Sequence, residues 1–172
     1  MNRICAIDVE TTGLSARRGD RVIEVGAVII EGGRLSDTFH TLVRTGVPIN
    51  PHAMAVHGIT EEMLAGKPSP HDVYPELARF MKGCRLVAHN ARFDMDFLKS
   101  EFTLQGLPFK HPYDCTLILS RKGLPNLANH KLMTVYTHLF GKVPDHIRLH
   151  RALADATLAA QIWLKLRALG SR

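Results

Sequence analysis

The order of strand-like and helix-like segments constrains the fold of this chain more than any other feature. Two apolar segments at 3–8 and 21–30 have the composition of β-strands, and both precede every segment with helical spacing. The sequence EGG at 31–33 is typical of a hairpin turn, which predicts a third strand over about 34–44. The amino-terminal quarter is therefore expected to form an antiparallel three-stranded meander.

The remainder of the chain changes to helical spacing and contains two short strand candidates. Residues 85–89 form the fourth predicted strand, and a short fifth strand is expected at 112–115. Helices are predicted over 60–65, 70–83, 92–105, 116–122, 131–140 and 149–169. Strands that come first, and later alternate with helices, predict an α/β domain with a mixed sheet.

Length and composition place the chain among ordinary globular domains. Its 172 residues suit one domain, 1–172, and 45% of them are hydrophobic while 22% are charged. No apolar run approaches the roughly 20 residues needed to cross a bilayer. The amino terminus also lacks the basic and then apolar pattern of a signal peptide. A cytoplasmic protein with no membrane partner is expected.

Cysteine content and charge narrow the possible functions. The three cysteines form no CxxC pair, which argues against a disulfide framework and against a structural zinc site. The formal net charge of +6 permits an anionic partner and favours nucleic acid over an acidic protein.

Asp8 and Glu10 are anomalous because they follow the apolar run of the first predicted strand. Residues two apart on a strand point to the same face, so the two carboxylates would lie side by side. Two like charges at such a position repel each other and are costly to desolvate. A divalent cation with oxygen ligands would offset that cost. The alternative is that one carboxylate caps the following turn and both are solvated.

Three residues in the second half of the chain also stand out. Asp94 lies in the first turn of a predicted helix, where it could simply interact with the helix dipole. Asp155 lies in a largely apolar predicted helix, where an unpaired charge requires a partner. His150 precedes it by five positions, about 140° around an ideal helix, so both can face one site only if His150 lies before the helix. Such a position suits proton transfer better than metal ligation.

Three strings in this sequence resemble the motifs of the DnaQ-like 3′–5′ exonucleases. They are AIDVETTGL at 6–14, HNARFDMDFL at 89–98 and HRALADA at 150–156. VHGIT at 56–60 and LPNLANHKL at 124–132 are also similar to segments common in that family, which is typified by the proofreading subunit of bacterial DNA polymerase III. The resemblance implies an α/β, ribonuclease H-like fold with a mixed five-stranded sheet flanked by helices.

The resemblance also implies a catalytic set that uses two divalent cations, Mg²⁺ or Mn²⁺. Asp8 would bridge both ions, Glu10 and Asp155 would complete one site, and Asp94 would serve the other. One ion would help to generate hydroxide from water, and the other would stabilise the leaving 3′ oxygen. His150 would act as the general base, because an imidazole titrates close to neutral pH.

The same resemblance implies how the terminal nucleotide is bound. The expected substrate contacts are Thr11, Thr12, Gly13, Leu14, His57 and Phe93. Main-chain groups at 11–13 would meet the 3′ hydroxyl, Leu14 would act as a wedge between the last two bases, and Phe93 would stack on a base or sugar. Core packing is the alternative for Leu14 and Phe93, and a purely structural histidine is the alternative for His57.

The function expected from the sequence is 3′–5′ exonuclease action on DNA, preferably on single-stranded or frayed ends, with release of nucleoside 5′-monophosphates in proofreading or repair. An exoribonuclease of the ribonuclease T or oligoribonuclease type is the alternative. A nucleic-acid-binding module without chemistry and a metal-dependent phosphatase are two further classes. The chain stops after its last predicted helix, so a stand-alone exonuclease or an isolated domain is expected, with any replicative polymerase partner not tethered through a C-terminal tail.

Overall fold

The computed structural model of the protein describes residues 3–142 and 150–170. Its five strands form one sheet in the order β3-β2-β1-β4-β5. The β1–β2 and β2–β3 pairs are antiparallel, whereas β1–β4 and β4–β5 are parallel. The strands are β1 Ile4–Thr11, β2 Val22–Glu31, β3 Arg34–Leu42, β4 Arg85–Ala88 and β5 Tyr113–Cys115. The predicted meander and the mixed five-stranded sheet are confirmed.

Seven α-helices and one 3₁₀ turn, Ala16–Arg18, accompany the sheet in the described part of the chain. The helices are α1 Pro51–His57, α2 Glu61–Leu64, α3 Pro70–Phe80, α4 Arg92–Leu104, α5 Thr116–Gly123, α6 Leu132–Phe140 and α7 Ala152–Gly170. Within the described residues, no helix has the length and apolar character required to span a membrane.

Two of these elements and two helix boundaries differ from the sequence prediction, and one of the boundaries is the end of α3, at Phe80 rather than at 83. Helix α1 and the 3₁₀ turn were not predicted, because both are short and lack an apolar repeat. Asn50 nevertheless gives a local start signal for α1, since its side chain accepts a hydrogen bond from the His52 backbone N–H. The last helix begins at Ala152 rather than 149, and 143–149 lie outside the described residues.

Alternation along β1 divides its side chains between two layers of core. Cys5, Ile7 and Val9 belong to the large apolar core that α3 and α4 also line. Ile4 and Ala6 point to the opposite face, where they share a smaller apolar cluster with a residue of α7. The sheet is therefore covered by α3 and α4 on one face and by α7 on the other.

Candidate active site

The face of β1 that packs against α7 ends in two acids. Because side chains alternate along a strand, Asp8 and Glu10 continue the row begun by Ile4 and Ala6. The strand runs on to Thr11, so both acids are half-buried within β1 rather than placed in the turn that follows it. This geometry does not match the alternative in which the two carboxylates are solvated turn caps.

Helix α7 brings a third acid to the same place. Asp8, Glu10 and Asp155 each offer a carboxylate oxygen, and these atoms all lie within 4.8 Å of one another. Asp155 is buried, and its Oδ1 has no hydrogen-bond partner among the described residues. We call these three residues the acid cluster.

Asp94 adjoins the acid cluster from helix α4. Its side chain is buried, and its Oδ1 accepts a hydrogen bond of 3.2 Å from the backbone N–H of Val9. That bond fixes the first turn of α4 against β1, between the two acids of the strand. A burial this complete distinguishes Asp94 from an ordinary solvated acid at a helix start.

Burial and mutual repulsion make the negative charges of these acids unfavourable. Burial, followed by the charges of Asp94, Asp155 and Glu10, raises the pKa of Asp8 well above its ordinary value. Burial raises the pKa of Glu10 and that of Asp94 to about 8 each. Burial also raises the pKa of Asp155 to about 6. A site of oxygen donors with excess negative charge fits a hard divalent cation.

A glycine in β2 allows α7 to approach the acids. Gly26 pairs with Asp8 in the β1–β2 register. A Cβ atom at Gly26 would lie 2.0 Å from the backbone nitrogen of Leu153, so any side chain would displace the first turn of α7. The sequence prediction missed this role, although a glycine inside a Val- and Ile-rich strand is the signal for a close approach.

Glu24 is a second residue of β2 that the sequence prediction missed. Its side chain is 0% exposed and lies opposite Glu10 in the sheet. Arg151 donates to it from Nε and Nη2, at 3.0 and 2.7 Å, and His40 donates from Nε2 at 2.7 Å. Burial raises the pKa of Glu24, but the hydrogen bonds from Arg151, His40 and the Ala152 backbone reverse that effect and hold it below its ordinary value. The sequence does contain a signal for Glu24, since it is a single acidic residue within an apolar strand.

His150 lies before α7, as its spacing from Asp155 required. It is exposed, and its backbone has a φ of 55°, in the left-handed region that ends the approach to the helix. The charge of His150 and, to a lesser extent, its backbone lower the pKa of the Asp155 carboxyl against the effect of burial. The histidine is therefore joined to the acid cluster through Asp155.

A cleft of about 640 Å³ opens beside the acid cluster. Five of the six predicted substrate contacts line it together with an acid of the cluster: Glu10, Thr11, Gly13, Leu14, His57 and Phe93. Leu14 is 79% exposed, which is incompatible with core packing. Phe93 is half-buried and packs its ring 4.9 Å from that of Phe97, so it combines a core contact with a surface on the cleft.

Thr12 is the predicted substrate contact that does not line the cleft. Its side chain is 0% exposed and accepts a hydrogen bond from the Arg21 backbone N–H. Its own N–H donates to the Arg21 carbonyl, and its carbonyl accepts from the N–H of Asn50. These bonds hold the loop that carries Gly13 and Leu14.

His57 is held on both ring nitrogens. Nδ1 accepts a hydrogen bond of 3.0 Å from the Ile59 N–H, so Nε2 carries the proton and donates to the Thr11 carbonyl at 3.2 Å. Burial lowers the pKa of His57, which favours the neutral ring that this arrangement needs. The side chain thus orients Thr11 while its ring forms part of the cleft wall.

Comparisons with known proteins agree with this architecture. A family model described as "Exonuclease" matches residues 5–163. DNA polymerase III subunit epsilon of Aquifex aeolicus is 37% identical, over 93% of this chain and 78% of that protein. The PolC-type DNA polymerase III of Thermotoga maritima is 41% identical over 92% of this chain, which spans only 11% of that protein.

A solved structure of exonuclease X, in complex with 5′ overhanging duplex DNA, has the same fold. It superimposes with a TM-score of 0.78 and 32% sequence identity, over 100% of this chain and 94% of that one. The family model, the epsilon subunit and this structural likeness all point to one group of enzymes. The chain belongs to the exonuclease family, as a DnaQ-like enzyme of the epsilon type.

Proposed function

We propose that this exonuclease removes nucleotides from the 3′ end of DNA and releases nucleoside 5′-monophosphates. The observation that carries the proposal is the acid cluster of Asp8, Glu10 and Asp155, of which Glu10 also lines a cleft of about 640 Å³. That volume is in the range of small-molecule sites and suits one nucleotide. Relatives named as a DNA polymerase III or as its epsilon subunit support DNA as the substrate.

The acid cluster would hold the divalent cations, and Asp94 would complete the set. All the donors are carboxylate oxygens, which Mg²⁺ and Mn²⁺ prefer. The unpartnered Oδ1 of Asp155 and the raised pKa of Asp8 both indicate that the carboxylates have more negative charge than the chain itself compensates. When bound, the cations would activate a water for attack on phosphorus and stabilise the leaving 3′ oxygen.

His150 would receive the proton of the attacking water. Its side chain is exposed, and its charge lowers the pKa of Asp155, a proposed metal ligand, so the two residues are close enough to interact. A group that exchanges protons in each turnover has to reach solvent, and the position before α7 allows that. Asp155 would therefore act as a metal ligand beside the proposed base.

The cleft would bind the terminal nucleotide in an unpaired state. Leu14 projects from the loop after β1, and Phe93 offers part of its ring from the start of α4. A base can stack on these apolar surfaces only after it leaves a duplex partner, at a gain of about 1–3 kcal/mol for each stacked base. This argument supports a preference for single-stranded or frayed 3′ ends.

A direct test uses 5′-labelled DNA and RNA oligonucleotides of identical sequence with the purified protein and Mg²⁺ or Mn²⁺. We expect a ladder of products shortened from the 3′ end, faster on DNA, together with nucleoside 5′-monophosphates in the soluble fraction. A blocking group at the 3′ end provides the matched control and should stop the reaction. Much faster trimming of RNA would support an exoribonuclease, and binding without any cleavage would support a nucleic-acid-binding module.

The proposed biological role of this activity is proofreading or repair. The names of the polymerase III relatives support it, and a replicative polymerase is the partner that they suggest. If the terminal base has to be unpaired, a mismatched 3′ terminus on a duplex should be removed faster than a matched one. Equal rates on matched and mismatched termini would argue against proofreading.

A further inference from the structure

Glu24 lies beside the acid cluster but has no free capacity for a ligand. Its two oxygens already accept hydrogen bonds from the side chains of Arg151 and His40 and from the N–H of Ala152, at 2.7–3.2 Å. The residue is completely buried, and its charge is compensated by the arginine. An acid in this state cannot contribute an oxygen to a cation, so its contribution to the site has to be indirect.

Two of the groups that bind Glu24, the Arg151 side chain and the Ala152 N–H, lie at the start of α7, between His150 and Asp155. Arg151 directly follows His150, and Ala152 begins the helix that carries Asp155. The first N–H groups of a helix have no partner within the helix, and a carboxylate there also interacts favourably with the helix dipole. Glu24 supplies that carboxylate from a neighbouring strand, which ties the helix start to the sheet.

We infer that Glu24, Arg151 and His40, which we call the Glu24 clamp, position the first turn of α7 so that Asp155 meets Asp8 and Glu10. This inference rests on the proposed function, in which Asp155 is a metal ligand. Glu24 and Arg151 are positioning residues, since neither would touch the metal or the nucleic acid. The clamp also holds the backbone next to His150, the proposed base.

Apolar packing holds the rest of α7 to the domain, so the Glu24 clamp is not needed simply to attach the helix. Leu158, Ala160 and Ile162 are buried against two apolar clusters, so the body of the helix is held to the domain without the clamp. The first turn is held by its close packing on the backbone of Gly26 and by the hydrogen bonds to Glu24. Loss of the clamp should therefore move Asp155 and His150 more than it weakens the fold.

The sharpest test replaces the arginine without changing its charge. Arg151→Lys keeps a cation beside Glu24 but removes the planar fork that makes the paired hydrogen bonds. Arg21→Lys is the matched control, because Arg21 makes the same fork to the buried acid Glu101, at 2.8 and 2.7 Å, with no contact to the acid cluster. Glu24→Gln provides a second variant of the clamp itself.

Mn²⁺ binding to the purified protein, measured by calorimetry or by the paramagnetic signal of free Mn²⁺ without nucleic acid, is the readout. We expect Arg151→Lys and Glu24→Gln to raise the Kd for Mn²⁺ by about tenfold, as the loss of groups that orient a metal ligand does elsewhere. Arg21→Lys should leave that Kd within about twofold at a comparable loss of thermal stability. The kcat should fall for the clamp variants, whereas KM for a DNA oligonucleotide should stay close to that of the parent.

The inference would be overturned if the clamp variants bound Mn²⁺ as tightly as Arg21→Lys, or if both failed to fold while the control folded. A parent protein that trims DNA, with clamp variants of unchanged Mn²⁺ affinity, would contradict the clamp and leave the proposed function intact. A parent that binds Mn²⁺ but trims no nucleic acid, with weaker binding in the clamp variants, would contradict the proposed function and leave the clamp intact.

Discussion

Two glutamates that face each other across the β1–β2 pair have opposite electrostatic states. Glu10 and Glu24 are register partners on neighbouring strands. Burial raises the pKa of Glu10 to about 8, with the charges of Asp155 and Glu24 adding to the effect. The pKa of Glu24 is lowered instead, although Glu24 is the more deeply buried of the two, because Arg151 and His40 hydrogen-bond to it.

The opposite pKa shifts of Glu10 and Glu24 show how an acid of the candidate site differs from a buried acid with a structural role. None of the ion pairs among the described residues includes Asp8, Glu10, Asp94 or Asp155, whereas Glu24 pairs with Arg151 at 2.7 Å. A buried carboxylate that the chain itself neutralises stabilises the fold around it. Carboxylates that share one place without such neutralisation favour a cation from solution, and this lack of neutralisation is what suits them to hold a metal ion.

The largest effect on exonuclease activity should follow replacement of Asp8, whose carboxylate interacts with every other acid of the site. Asp8→Asn should lower exonuclease activity by about 1,000-fold or more, as the loss of a member of a catalytic unit does. The same change should raise the melting temperature of the metal-free protein, because it removes a carboxylate whose ionisation is opposed by burial and by four neighbouring acids. Rate assays and thermal melts in a chelator measure the two outcomes. Unchanged activity, or a lower melting temperature at neutral pH, would break the comparison between the two kinds of acid.

Gly26→Ala should have the next largest effect, because both kinds of acid depend on the close approach of α7. The new methyl carbon would lie 2.0 Å from the backbone of Leu153, where no flexible side chain can yield. We expect a loss of about 1–3 kcal/mol in the free energy of unfolding, typical of overpacking, and a loss of most activity. Denaturant unfolding and rate assays measure this.

Gly123→Ala is the control for that experiment. Gly123 ends α5 and has its nearest neighbour at the ordinary contact distance of 3.6 Å, so an added methyl group should be tolerated. If Gly26→Ala behaved like Gly123→Ala, the contact between β2 and α7 would be looser than described. The position of Asp155 would then need another explanation.

The pH dependence of stability should distinguish the acid cluster from Glu24 by its sign. The raised pKa values mean that the folded protein keeps protons on Glu10 and Asp155 that the unfolded chain has already released. The melting temperature of the metal-free protein should therefore fall as the pH rises from about 5 to 8. Glu24 has a lowered pKa, so its stabilisation is lost only at more acidic pH, below its ordinary value of 4.5.

Mg²⁺ should reverse the loss at neutral pH, since its ligands have to be deprotonated to bind it. We expect Mg²⁺ to raise the melting temperature more at pH 8 than at pH 6. Glu10→Gln should make the melting temperature of the metal-free protein less dependent on pH. Thermal melts across pH with and without the cation measure both effects. A parent profile that rises from pH 5 to pH 8 and matches that of Glu10→Gln would contradict the raised pKa of Glu10.

The fold was largely predictable from the sequence because its signals are local. The hairpin at 31–33 and the Val- and Ile-rich segment over 21–30 are visible without any tertiary information, and both lie where the structure has them. Helix α1 was missed because its seven residues contain no apolar repeat. The start of the last helix was predicted too early, since the apolar pattern alone does not mark the left-handed backbone at His150.

The site was predictable only in part, and the reason is physical. Asp8 and Glu10 could be recognised because two adjacent charges on an apolar strand already violate a local rule. Glu24 violates the same rule, but its compensating partner Arg151 is 127 positions away in the sequence. Gly26 has a meaning only when α7 lies against it. Whether a buried acid is satisfied by the chain therefore depends on contacts that no local pattern contains.

The smallest effect should come from an acid that resembles Asp94 in sequence but not in environment. Asp96 lies two positions further along α4, is exposed, and pairs only loosely with Arg92 at 3.9 Å. An exposed pair of this kind contributes about 0–1 kcal/mol, so Asp96→Asn should leave the melting temperature nearly unchanged and the activity within about twofold. Asp94→Asn should reduce activity by about 100-fold or more, because Asp94 is buried against β1 and adjoins the acid cluster.

Asp94→Asn and Asp96→Asn make the same chemical change in a buried and in an exposed environment, so their comparison shows the effect of environment alone. Both replace an aspartate of α4 by its amide, two positions apart, so the size and type of the chemical change are matched. Rates at saturating and at low DNA concentration, with melts of both variants, measure the contrast. If Asp96→Asn lost as much activity as Asp94→Asn, charge along α4 rather than proximity to Asp8 would govern the site. If only Asp94→Asn caused a large loss, exonuclease activity would depend on the acid that no cationic side chain of the protein neutralises.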